Sequence, residues 1–355
     1  MTSTSKQRDN RRAAREAKLV ELSTRLEQAV GELVTGEDWL RAMEFSARFR
    51  SRSFANTLLI FSQHAKAYEE GRVPTLAPSY VAGFRQWQQL GRFVVKGQAG
   101  YMIRCPVTAR FTSYDPSDPN SWRRLRRGED AGPGEHVRTG IIGVKPGYVW
   151  DVTQTDGKPI PASPQPLLLA GHAPPGLQDA LVAQVQDRGF RILDAPDRDA
   201  LGGANGVTDF ANRTVTVRVD MPDAARVKTL AHELGHIALD HRTRSDQGLC
   251  RGIKEVEAES VAAMITAAYG MDSTDYTVPY VAEWSTDVAD RDPVDVIRST
   301  GELVRKTALT ILDKLPEPPT GDGAPPVPVR HSTRAQERQV PVRQRPSSTT
   351  DLSLS

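Results

Sequence analysis

Val227 to His241 read VKTLAHELGHIALDH, and within them His232, Glu233 and His236 form the pattern H-E-x-x-H. Residues four apart fall on one face of an α-helix, so two imidazoles at this spacing can reach one metal from neighbouring turns. The glutamate between them then lies where it can take a proton from a water whose pKa zinc has lowered from about 15.7 to about 7. This reading makes His232 and His236 zinc ligands and Glu233 the general base. The competing reading is a core helix that carries two histidines by coincidence. The flanks argue against it. Pro222 and Asp223 suit a helix start, and Val227, Leu230, Leu234, Ile237 and Ala238 trace an apolar stripe that would bury one face.

A catalytic zinc site has three protein ligands and one open position, so a third ligand is expected downstream. Lys254 to Met264, KEVEAESVAAM, supplies two carboxylates on one helical face, Glu255 and Glu259, while Glu257 projects elsewhere and is expected to be solvated. Glu255 is taken as the third ligand. Glu259, one turn on, is placed to accept the second N–H of a ligand histidine and fix its tautomer. Glu259 as ligand, or an exposed acidic face, are the alternatives.

H-E-L-G-H followed after a short loop by E-x-x-A-E, over about residues 202–284, resembles the gluzincin-type metallopeptidases of the ImmA/IrrE and ArdC groups. In those groups the later glutamate is the third zinc ligand. A second resemblance lies upstream and does not depend on the first. R-S-x-x-N-x-L-L from Arg52, F-x-Q-W-x-x-L-G-R-x-V-x-K-G from Phe84, I-R-C-P from Ile103 and YVWDV ending at Val152 resemble the N-terminal ssDNA-binding domain of ArdC-type anti-restriction proteins. The order of the two regions also agrees with that family.

Charge fits this division. Residues 1–130 carry 22 Lys and Arg against 14 Asp and Glu, a balance of +8, whereas residues 131–315 carry 19 against 26, a balance of −7. A basic part joined to an acidic one points to a polyanion for the former, with a merely solvated basic surface as the bland alternative. Single strands are held by cations that track phosphates and by rings on which bases stack. Arg50, Arg52, Arg92 and Lys96 are the phosphate candidates; Tyr101 and Trp87 are weaker stacking candidates, with burial in the core as the equal alternative.

The remaining chain is read by pattern. A basic, frayed start (1–17) precedes an amphipathic helix from Lys18 to Leu40 and an apolar helix around Leu58, Leu59 and Phe61. Ser113 to Gly143, with Trp122, Arg123, Arg124, Arg126 and Arg127, reads as a flexible basic loop inserted in the 18–155 domain. A proline-rich linker (156–175) leads to a 176–315 metallopeptidase-like domain. That domain opens with a helix from Gly176 to Gly189 and a hairpin from Gly206 to Asp220 turning near Asn212. Tyr276 and Tyr280 are offered as donors to a polarised carbonyl. From Pro316 to Ser355 the chain is rich in Pro, Ser, Thr and Arg and is expected to be disordered. Cys105 and Cys250 fall one in each region and read as reduced packing residues.

No apolar run reaches the 18 or so residues of a membrane helix, and the N-terminus has no secretion-signal core, so a cytoplasmic protein without a membrane partner is expected. The expected fold is α+β, with an ArdC-like ssDNA-binding domain, a zincin-like (gluzincin) domain and a disordered tail. The expected function is that of a zinc metallopeptidase, with Zn2+ as cofactor and single-stranded DNA and a protein or peptide as partners. The alternatives are an ssDNA-binding protein whose zinc domain is structural or inactive, and an ImmA-like protease acting on a repressor.

Overall fold

A computed structural model describes residues 3–161, 172–246, 251–271, 284–285, 291–319 and 321–326. The chain begins with helices α1 (Ser3–Gly31), α2 (Gly36–Arg48) and α3 (Phe54–Glu69). The single helix expected over residues 18–40 is broken. Thr35 opens α2 with a capping box, its hydroxyl accepting from the Asp38 N–H while the Asp38 carboxylate accepts from the Thr35 N–H. These bonds satisfy donors that a continuing helix would use otherwise, so the chain turns there. Leu22, Leu26, Ala29 and Val30 form the buried stripe of α1, while Val20 is exposed.

Next come β1 (Val81–Gly83), α4 (Phe84–Gln89), β2 (Arg92–Val94), β3 (Tyr101–Ser113), β4 (Arg123–Arg124), β5 (His136–Asp151) and β6 (Thr155–Gly157). The larger sheet has the order β1-β5-β3-β4, and β2 pairs with β6 separately. Strands β3 and β5 run antiparallel from Tyr101 opposite Val149 to Ser113 opposite His136, with a bulge at Val107/Thr108. The flexible insertion expected at 113–143 is therefore corrected: its second part is strand, and the rest is the tip of a long arm. Ion pairs from Arg123 to Glu129 and Glu135, and the Arg138 guanidinium 4.1 Å from the Trp122 ring centre, order that tip.

The second half contains α5 (Leu177–Asp187), β7 (Arg191–Ala195), β8 (Gly206–Asp209), β9 (Thr214–Arg218), α6 (Asp223–Ala238), α7 (His241–Asp246), α8 (Arg251–Ala268) and α9 (Pro293–Leu312). Its sheet runs β7-β9-β8; β7 is parallel to β9, and β8 is an antiparallel edge strand. The hairpin and the two flanking helices lie where the sequence patterns put them.

The two halves share one core. Leu22 of α1, Trp39 and Met43 of α2 and Phe54 of α3 belong to the same buried cluster as Leu181, Val217, Leu230, Leu234, Val261 and Val304. The Trp39 indole N–H donates to Ser260 Oγ at 2.7 Å, and its ring meets Trp284 edge-on at 5.0 Å. Residues from Met1 to Pro325 accordingly make one compact unit. The disorder expected from Pro316 onward does not hold for its first residues. The Pro316 carbonyl accepts from the Tyr269 hydroxyl, and the Gly323 carbonyl accepts from the Val81 N–H at 2.9 Å. Gly323 adopts φ +74° and approaches the Phe49 ring so closely that a Cβ would lie 2.3 Å from it. Backbone conformation and lack of side chain both suit glycine there. Residues 327–355 and 162–171 lie outside the described residues.

Candidate metal centre

The site rests on the crossing of α6 and α8. Helix α6 follows Pro222, and Val227, Leu230, Ala231 and Leu234 bury one face of it. At the crossing Gly235 meets Ala258: a Cβ on Gly235 would lie 3.3 Å from the Ala258 Cα and carbonyl oxygen. Two small residues thus let the backbones approach, which brings the carboxylates of α8 to the imidazoles of α6.

His232 Nε2 and His236 Nε2 face each other at 3.0 Å, and Glu255 Oε2 lies 3.5 Å from the first and 3.6 Å from the second. Among the described residues these three form a group able to hold a metal ion. Tetrahedral ligands at about 2.0–2.1 Å from zinc stand about 3.3 Å apart, so the triangle fits such an ion. The charge balance fits as well. Burial alone would lower His232, but hydrogen bonds to Glu255 and Glu259 and then the charge of Glu233 push it up to about 10. The two neighbouring imidazoles, His232 foremost, hold the Glu255 carboxyl well below the usual carboxylate range. The cluster favours positive charge at its centre.

Each imidazole of the triangle is held from behind. His232 Nδ1 lies 2.8 Å from Glu259 Oε2, the arrangement expected from sequence, and Lys228 Nζ stands 3.7 Å from the other oxygen of Glu259. His236 Nδ1 lies 2.7 Å from His241 Nδ1, whose Nε2 is 2.9 Å from Glu257 Oε2. Arg244 closes the row with bonds of 2.5 and 2.9 Å to the two oxygens of Glu257. Burial raises Glu257, yet His241 and Arg244 together bring it below its ordinary value; burial lowers His241. The expected solvation of Glu257 is corrected: it is 1% exposed, because the face of α8 that turns from the cleft packs against α7 instead of water.

Glu233 is buried beside the triangle, and Thr208 Oγ1 of β8 donates to its Oε2 at 2.6 Å. Strand β8 passes so near that a Cβ on Gly206 would lie 2.6 Å from Thr229 Cγ2 and 3.0 Å from Glu233 Oε1. A cleft of about 750 Å³ opens over this group, lined by Val207, Phe210, His232, Glu233, His236 and Glu255 among others. Sequence reasoning missed Thr208, His241 and Arg244. His241 carried a signal as the third histidine of the opening stretch. Its use depends on Asp240, whose positive φ of 50° ends α6 and turns the chain back. Tyr276 and Tyr280 lie outside the described residues.

The DNA candidates scatter. Tyr101 is 2% exposed and bonds through its hydroxyl to His64 Nδ1 at 2.9 Å, and Trp87 is fully buried with its indole N–H on the Trp150 carbonyl. Neither ring can stack with a base, because both fill core space. Arg92 is committed to Thr155 and Lys158 through three bonds, and Arg52 donates to the Val81 carbonyl at 3.1 Å. Arg50 is half-buried, its carbonyl accepting from Arg305. Lys96 is exposed, as are Arg124, Arg126 and Arg127 on the arm.

Fold and site together define an α+β protein with a histidine, histidine and glutamate group on two crossed helices. Residues 15–143 match the family model described as the N-terminal domain of anti-restriction factor ArdC. Over those residues the chain is similar to the ArdC-type family. It is 24% identical over 283 residues to an uncharacterized protein of Bacillus anthracis, covering 73% of this chain and 45% of that one. The chain thus spans less than half the length of that relative. Two crystal structures of the antirestriction ArdC protein from plasmid R388 are also similar. The metal-free one is 20% identical, covers 74% of this chain and 84% of its own, and has a TM-score of 0.45. The Mn(II)-bound one is 19% identical, covers 74% and 88%, and has a TM-score of 0.43. No helix among the described residues is long and apolar enough to cross a membrane.

Proposed function

We propose that this chain is a zinc-dependent peptidase of the zincin (gluzincin) type, working with single-stranded DNA in anti-restriction or mobile-element biology. The observation that carries the enzymatic part is the triangle of His232, His236 and Glu255 with Glu233 buried at its side under an open cleft. Two imidazoles and one carboxylate are a donor set that suits zinc and leaves a coordination position for chemistry. Zinc held there would acidify water and polarise a scissile carbonyl.

The chain's own groups do the rest. Glu233, oriented by the Thr208 hydroxyl, is positioned to take the proton of the attacking water and return it to the departing amine. Glu259 accepts from His232 Nδ1–H, leaving Nε2 free to ligate. The edge strand β8 lines the same cleft, where an extended peptide could add to it as a further strand. The match of residues 15–143 to an anti-restriction N-terminal domain, with the basic charge of that half, supports the DNA partner.

The test is zinc content and peptide hydrolysis of four variants. Glu233→Gln should keep zinc and lose turnover, since it removes only the proton acceptor. His232→Ala and Glu255→Ala should lose the metal. Glu259→Ala should weaken metal affinity by about 10–100-fold, less than removal of Glu255. A wild-type protein that takes up no zinc would sink the reading; loss of metal from Glu259→Ala but not from Glu255→Ala would exchange the two glutamates.

A further inference from the structure

His241, Glu257 and Arg244 form a buried polar row that the proposed chemistry does not use directly. Its geometry is nevertheless specific. His236 presents Nε2 to the triangle and Nδ1 to His241, so His241 stands on the far side of that ring from any metal and is not itself a ligand. An arginine is always charged, and Arg244 donates to both oxygens of Glu257. Glu257 is therefore a carboxylate, which can only accept. His241 Nε2, 2.9 Å from it, must donate. A neutral imidazole that donates from one nitrogen accepts at the other, so His241 Nδ1 offers a lone pair to His236 Nδ1 at 2.7 Å. His236 must then carry its proton on Nδ1, and its Nε2 is left as a lone pair facing His232 and Glu255.

We infer that His241 is the positioning residue for His236, relaying the Glu257 carboxylate through a second imidazole to fix the tautomer and ring orientation in which His236 can ligate a metal. Glu259 does the same for His232 by direct contact. The two ligand histidines are thus set in the same tautomer by two routes, one direct and one through His241. On the Nδ1 side of His236 the relay links Glu257 to that ring through His241. The inference rests on the metal reading above, and its test separates the two.

Co2+ uptake by the metal-free full chain can be followed through its visible absorption bands, with Zn2+ affinity measured by competition against a chromophoric chelator. The variants are His241→Leu and His241→Asn, whose Oδ1 stands near the place of Nδ1 and can still accept from His236. Thermal unfolding of each metal-free variant is recorded alongside. His241→Leu should bind zinc about 10–100-fold more weakly with altered Co2+ bands, and His241→Asn should recover at least part of the affinity. A purely structural role would lower metal-free stability in both variants and leave affinity and bands alike among the folded proteins. Wild-type affinity in folded His241→Leu, or equal loss in His241→Leu and His241→Asn, would overturn the inference while the metal site stands. No Co2+ or Zn2+ uptake by the wild type would overturn the metal reading and this one with it.

Discussion

Glu302 shows how one side chain can serve an element it does not belong to. It sits on α9, yet its Oε2 accepts from the Phe54 N–H at the start of α3, while Arg305 donates to Oε1 at 2.9 Å. Burial disfavours its charge, but Arg305 and the Phe54 N–H hold its carboxyl below the ordinary value. A carboxylate whose folded value is lowered stabilises the protein fully above the unfolded value and loses that contribution as pH falls through the folded one. Glu302→Gln should therefore cost about 1–3 kcal/mol at neutral pH, and the difference from wild type should vanish as the pH falls through the lowered value. Denaturant unfolding across pH 2–7 checks this; an unchanging difference would argue that Glu302 acts through packing alone. At this scale the grouping of His232, His236 and Glu255 was legible because H-E-x-x-H and a glutamate pair at i, i+4 specify which side chains share a face. Spacing does not say what covers the opposite face. Glu257 and Tyr101 were misjudged for that reason, since their partners His241 and His64 sit on other elements.

Among the elements, the arm of β3 and β5 was the hardest to foresee. Its strands are separated by a tip rich in Pro, Asp and Gly, and Gly140, Gly143, Pro146 and Gly147 interrupt the alternation that marks a strand in β5. Pairing supplied across the ladder overrides those weak local preferences. Helices α6 and α8 were easier, because an apolar stripe at helical spacing survives in the sequence however the helix is packed. The arm carries exposed Arg124, Arg126 and Arg127 near Trp122, with exposed Tyr114 on the same tip. For a single-strand partner these cations are freer to meet phosphate than Arg52 or Arg92, which already bond to the backbone. Replacing all three arm arginines with glutamine should weaken oligonucleotide binding and reduce its salt dependence by up to about 2 in the log–log slope, from about 0.7 per lost phosphate contact. Fluorescence anisotropy of a labelled oligonucleotide at several salt concentrations measures it. An unchanged slope would move the contacts off the arm.

For the whole molecule, the sequence suggested a basic and an acidic domain joined by a proline-rich link, and charge does divide the chain that way. Charge patterning cannot tell whether two regions share an interior, however, because buried apolar faces read the same whichever partner they meet. Here Trp39 from the basic half packs into the cluster that holds α6 and α8. Trp39→Ala should remove about 3–5 kcal/mol of stability. It should also lower zinc retention, although Trp39 touches none of the ligands, since Ser260 loses its indole partner one residue beyond Glu259. Chemical denaturation followed by tryptophan fluorescence and by zinc release should give coincident transitions. Separate transitions would mean that the halves unfold independently.

The bond between Trp39 and Ser260 joins residues 221 positions apart, and Val81 bonds to Gly323 later still. On a ribosome adding about 5–20 residues per second, α2 emerges roughly 10–45 s before the helix it packs against. Throughout that wait the part of the Trp39 and Met43 surface that meets α8 and Trp284 lacks its native cover. A holdase chaperone would find its site on the nascent chain there, and that site closes only when α8 has been made.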